Sequence, residues 1–146
     1  MKTILLVEDN SDDEELARQA FRRSKLSGQL VVARDGREAL EIVLEATPRP
    51  DLVLLDINLP CLSGLEVLRR LRADARTRTL PVVLLTSSRE ARDIIEGYEY
   101  GCNSYVRKPV DFMKFVEMLR LLDHYWLRLN ETPLNGARDA QPRPSS

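Results

Sequence analysis

Three unbroken apolar runs, ILLV at 4–7, LVLL at 52–55 and VVLL at 82–85, limit what this chain can fold into more than any other feature. A surface helix spaces its apolar residues three or four apart, and a half-exposed strand shows every second one. A segment that is apolar at every position is covered on both sides, as interior strands of a parallel sheet are. Segments 30–33 and 104–106 read as two further strands. The stretches between them carry helical spacing. Ser11 and Glu14 stand at the interval of a capping box, followed by Leu16, Ala17, Ala20 and Phe21 at helical intervals. Ala39, Leu40, Val43 and Leu44 repeat the pattern, as do Leu65, Leu68 and Leu71. The stretch 89–100 is polar with few core positions, whereas 111–129 is strongly helical. Strand and helix alternate, so the expected fold is α/β: a parallel five-stranded sheet between two helical layers, joined by right-handed crossovers.

A chain of 146 residues, 43% hydrophobic and 31% charged, suits one globular domain with a core of its own. A net charge of −1 excludes bulk electrostatic attraction to nucleic acid or anionic membrane. No apolar run approaches the roughly 20 residues that span a bilayer. The start, MKTILLVEDN, turns acidic too early for a signal peptide. Cys61 and Cys102 match no metal spacing and read as reduced thiols in a cytoplasmic protein. After Asn130 the chain is rich in Pro, Ser, Gly and Arg without apolar period, so residues 1–130 form the expected domain and 131–146 a flexible tail.

In an open parallel sheet, ligands bind beyond the carboxyl ends of the strands. Glu8 and Asp9 follow the first strand, Asp56 the third, Thr86 the fourth and Lys108 the fifth, so all five converge on one edge. Gathered carboxylates repel one another, and a small hard cation such as Mg²⁺ relieves that repulsion. Asp56 is then placed to act as a nucleophile toward phosphorus, with the cation, Lys108 and the Thr86 hydroxyl countering charge on the phosphoryl oxygens. Singly, each residue also fits a duller role: an Asp after a strand forms turns, and Glu8-Asp9 suits the start of a helix. Their conjunction at four strand ends is what points to phosphoryl chemistry.

The set LLVEDN, LLDINLPCLSG, VVLLTSS and SYVRKPVD resembles the receiver domain of two-component response regulators, over residues 1 to about 127. The resemblance implies a flavodoxin-like (βα)5 sandwich with strand order 2-1-3-4-5, the order for which that family's chemotaxis member is a standard illustration. It implies that Asp56 accepts a phosphoryl group from a histidine kinase. Asp9, Asp56 and the backbone carbonyl of Asn58 would hold Mg²⁺, with Glu8 acting mainly through a metal-bound water. Lys108 would contact the phosphoryl group, its bond to Pro109 being typically cis. Thr86 would move toward the phosphoryl oxygen and Tyr105 would rotate inward as the coupled aromatic. Pro60 and Gly64 match the loop behind the acceptor, and Asn58 and Ser88 occupy positions tied to dephosphorylation rate. No output domain follows, so a response would pass through a partner surface or a relay.

The ending HYW, the tail and YEYGCNSYVRKPVD are similar to stand-alone regulators paired with phytochrome-type kinases, which implies a bacteriophytochrome histidine kinase as partner. An aspartyl-nucleophile phosphatase of the haloacid dehalogenase type needs a second Asp two residues on; Asn58 stands there, which argues for a phosphoacceptor rather than an enzyme. A binding module that works without phosphorylation would be expected to have lost Asp56, Asp9 or Lys108. In the last helix, Phe112, Phe115, Val116, Leu119, Leu122 and Trp126 form one apolar stripe at 100° per residue. Met118, Leu121, Tyr125 and Leu129 form a second stripe, expected to serve as a homodimer or partner surface unless a loop or the tail covers it. His124 reads as an ordinary surface residue. Arg69, Arg70, Arg72, Arg76 and Arg78 read as a solvated face, diluted by Glu66 and Asp74, rather than a nucleic-acid site.

Overall fold

The computed structural model describes residues 2–46, 49–87, 91–108 and 111–130. Five strands, β1 (Thr3–Val7), β2 (Gln29–Ala33), β3 (Leu52–Leu55), β4 (Val82–Thr86) and β5 (Ser104–Arg107), pair in parallel in the order β2-β1-β3-β4-β5. Between them lie α1 (Ser11–Ser24), α2 (Gly36–Glu45), α3 (Gly64–Ala73) and α4 (Ala91–Glu99), with α5 (Phe112–Leu122) after β5. The five strands and the expected order are present. Pro109, Ser88 and the tail at 131–146 lie outside the described residues.

The apolar runs divide their side chains between two cores, as the two-residue strand period requires. Ile4, Leu6, Leu52, Leu54, Val83 and Leu85 pack under α1 and α5 with Ala17, Ala20, Phe115 and Leu119. Leu5, Val7, Val53, Leu55, Val82 and Leu84 pack on the opposite face with Ala39, Val43, Val67, Leu68 and Leu71 of α2 and α3. A one-residue slip in any interior strand would exchange these two sets.

Helix starts are capped by side chains at α1, α2, α3 and α5. The cap of α1 differs from the sequence reading: Asn10, not Ser11, is extended and accepts the Asp13 N–H at 3.0 Å, while Ser11 is already helical. Asp35, Ser63 and Asp111 do the same for the other three.

The end of the last helix corrects the two-stripe expectation. Met118 is 9% exposed and joins the core with Phe115, Leu119 and Leu122. It lies roughly 40° around the helix from Leu122, so the buried arc is wide enough to include it. From Asp123 to Leu129 the chain winds as a π-helix, and extrapolation at 100° per residue fails there. The wider turn is tied by contacts five residues apart: Arg128 donates to Asp123 Oδ2 at 3.0 Å, and the Asn130 N–H donates to the Tyr125 carbonyl. Leu127 is thereby carried into the core, and Trp126, packed edge-on against Tyr125, is only partly buried. Leu121, Tyr125 and Leu129 remain exposed, at 63%, 51% and 61%. His124 is also exposed, as expected.

At the edge of the sheet where β4 and β5 begin, Arg72 departs from the expected solvated face. Its guanidinium donates to the carbonyls of Gly101, Thr77, Arg78 and Leu80 and to Asn103 Oδ1. Asn103 Oδ1 also accepts the Val82 N–H at 2.8 Å, so the α3–β4 and α4–β5 connections are tied together. Gly101, at φ +97°, lies against the Arg72 stem. Arg69 and Arg70 pair with Glu66, and Arg76 with Asp74, as exposed ion pairs of small energetic weight.

Candidate functional site

The opposite edge, where the strands end, gathers the candidate site residues. Three backbone hydrogen bonds continue the parallel ladder one residue past the strands. The N–H of Glu8 donates to the Ala33 carbonyl at 2.9 Å, that of Asp56 to Val7 at 3.3 Å, and that of Lys108 to Thr86 at 2.9 Å. Each of these polar residues is therefore held as firmly as the strand behind it, while its side chain faces out of the ladder's end.

Glu8, Asp9 and Asp56 come together, with one carboxylate oxygen from each within 4.8 Å of the others. Glu8 and Asp56 are buried and Asp9 is exposed. This all-oxygen, hard donor set fits a divalent cation of the Mg²⁺ class. Asn58 is exposed, and its N–H donates to Asp56 Oδ1 at 3.0 Å, which fixes one acceptor oxygen and leaves the other to Lys108. Lys108 Nζ lies 3.0 Å from Asp56 Oδ2, 2.6 Å from Glu8 Oε2 and 2.8 Å from Asp13 Oδ2. Thr86 is fully buried at the end of β4, and Tyr105 of β5 is partly buried against the core of α2 and α3.

Electrostatics follow from this crowding. Burial pushes the Glu8 carboxyl up to about 7; the Asp56 charge adds to the rise, while the bond to Lys108 and the Asn10 N–H oppose it. Lys108 is pulled in two directions. Burial disfavours its charge, but hydrogen bonds to Asp13, Glu8 and Asp56 together outweigh that, and the ammonium is held above its ordinary range.

The loop behind Asp56 is shaped for close approach. The Gly64 N–H donates to the Ile57 carbonyl at 2.9 Å, and a Cβ at Gly64 would run into the Asp56 carbonyl oxygen. Within the same loop Cys61 adopts φ +67°, a left-handed conformation that its sequence did not announce. Both cysteines are free, Cys61 exposed and Cys102 buried. Burial raises the Cys102 thiol pKa, which leaves it a packing residue.

Asp13 is the site residue that sequence reasoning missed. Its acidic neighbours read as a helix start, and the available signal was its place in the first turn directly after β1, over the same edge.

A parallel 2-1-3-4-5 sheet with three acids and a lysine at its carboxyl edge defines a receiver domain, and the chain belongs to that family. Residues 4–120 match the response regulator receiver domain. Response regulator Rcp1 of Synechocystis sp. is 34% identical over 137 residues, covering 90% of this chain and 93% of that protein. The solved Mn²⁺-bound form of Rcp1 superposes with a TM-score of 0.80 at 33% identity, covering 91% of this chain and 99% of that one. The phosphorylated cyanobacterial phytochrome response regulator RcpA gives 0.82 at 34% identity, covering 90% and 98%. The bacteriophytochrome response regulator RtBRR gives 0.72 at 43% identity, covering 94% and 87%. The protein is thus a response regulator receiver similar to phytochrome-associated regulators, of the class that signals through phosphorylation and binds divalent metal. Among the described residues, no helix is long and apolar enough to cross a membrane.

Proposed function

We propose that this chain is a phosphoacceptor switch in which Asp56 takes a phosphoryl group from a sensor histidine kinase in a Mg²⁺-dependent step. The observation that carries the reading is the joint placement of Asp56 within the acidic trio and within 3.0 Å of the Lys108 ammonium. An Asp56 carboxylate oxygen forms the new O–P bond as the donor's bond to phosphorus breaks, and the leaving group departs with the electron pair. Asp9, Asp56 and the Asn58 carbonyl, with Glu8 mainly through a bound water, would hold Mg²⁺, which would supply positive charge to stabilise the transferring oxygens. Lys108 steadies the same oxygens, the Asn58 N–H holds the non-attacking acceptor oxygen, and Thr86 donates its hydroxyl as Tyr105 follows inward. Asn58, lacking a transferable proton, supports an acceptor role over turnover of outside substrates.

The test is incubation with Mg²⁺ and acetyl phosphate, followed by intact mass at mildly acidic pH. One base-labile phosphoryl adduct is expected, and none in Asp56→Asn. An unmodified wild type, or an adduct that survives in Asp56→Asn, sinks the reading.

Names of the relatives support a phytochrome-type kinase as donor and, with two free thiols, a cytoplasmic setting. For output we propose a homodimer through the last helix, without nucleic acid. Leu121, Tyr125 and Leu129 supply its apolar surface; Met118 is excluded because it is core. Leu121→Glu with Leu129→Glu should convert a sedimenting dimer to monomer, and a wild type that already sediments as monomer rejects the dimer.

A further inference from the structure

We infer that Asp13 is a positioning residue for phosphoryl uptake, holding Lys108 at the sheet edge through a carboxylate that the cation does not claim. The inference rests on the Asp56 reading above and deepens it. An ammonium has three N–H donors. Those of Lys108 face three carboxylates, Glu8 at 2.6 Å, Asp13 at 2.8 Å and Asp56 at 3.0 Å. Glu8 and Asp56 also belong to the trio that converges for a metal; Asp13 does not. A cation held between Glu8, Asp9 and Asp56 would draw on two of the carboxylates that hold the lysine, and like charge would push the ammonium away. Asp13 is the partner left to oppose that displacement.

The fold places Asp13 firmly for the task. Its N–H is held by the Asn10 cap at 3.0 Å, and α1 is anchored on the sheet by Ala17 and Ala20. Its side chain is half-exposed, so replacing it opens no core cavity. Asp12 provides a matched control: it lies in the same first turn with the same charge and is exposed. Loss of Asp13 therefore differs from loss of Asp12 only through Lys108, because both changes alter the helix dipole and local charge alike.

The experiment is the time course of adduct formation by intact mass at saturating Mg²⁺, across a range of acetyl phosphate, with thermal melting alongside. Asp13→Ala is expected to slow the maximal rate about fivefold or more, with half-saturating acetyl phosphate less affected, since a misplaced charge acts mainly on the transferring group. Asp13→Asn, which keeps the shape and loses the charge, should fall between, Asp13→Glu should recover most of the rate, and Asp12→Asn should match wild type. Asp13→Ala indistinguishable from Asp12→Asn, or a failure of Asp13→Glu to recover, overturns the inference while leaving Asp56 as acceptor. An adduct absent from wild type or retained in Asp56→Asn takes down both.

Discussion

Lys108 and Arg72 are both cations withdrawn from solvent at opposite edges of one sheet, and they are solvated in opposite ways. Lys108 is surrounded by three carboxylates, two just past the ends of β1 and β3 and one on α1, a pointlike charge on a flexible stem that can trade one partner for another. Arg72 is surrounded by neutral acceptors, four backbone carbonyls and one side-chain amide, which its planar fork meets in fixed directions. Burial lowers the Arg72 pKa, whereas the acids around Lys108 raise its own. The difference separates an edge built to exchange charge from an edge built to stay closed.

Substitution should break the comparison cleanly. Lys108→Ala is expected to slow phosphoryl uptake by about a hundredfold, the scale of losing one charge-stabilising donor. Arg72→Ala should leave uptake near wild type but cost about 3 kcal/mol in urea unfolding, because carbonyls are stripped of their donor. Arg72→Lys should fail to restore it, since one ammonium cannot reach five acceptors in a plane. If Arg72→Ala abolished uptake without loss of stability, the assignment of the two edges would be reversed.

The rim should also reveal itself through pH. With the Glu8 pKa raised from 4.5 to about 7, the metal-free folded state binds more protons than the unfolded chain between those values. Its contribution is complete below pH 4.5 and is lost as pH rises through 7. In chelator, wild type should lose about 1–3 kcal/mol relative to Glu8→Gln between pH 4.5 and 8. Parallel stability curves for the two proteins would contradict it. The smallest effect belongs to the closed edge. Gly101→Ala should cost about 1 kcal/mol, from a positive φ and crowding against the Arg72 stem, with no change in phosphoryl uptake.

Strands were legible because an unbroken apolar run has few ways to be buried, and the rim acids followed from where those runs stop. Contacts that depend on tertiary placement were not. Arg72 looked like one charge among several, and only the approach of two connections turns its fork inward. Asp13 carried no signal that set it apart from its acidic neighbours, and only the docking of α1 brings it to Lys108. The π winding of Asp123–Leu129 was illegible for another reason. A regular 100° step predicted Met118 outside and did not predict Leu127 inside, whereas the wide turn and a broad buried arc put both in the core.

Glu8, Asp56 and Lys108 are each the next rung of a ladder that both cores clamp, so their backbone positions have no flexible tether of their own. Drift in their spacing would require the strands to slide past one another. Any tuning of the proposed phosphoryl exchange is then expected from the side chains that surround a rigid frame rather than from bending the frame itself.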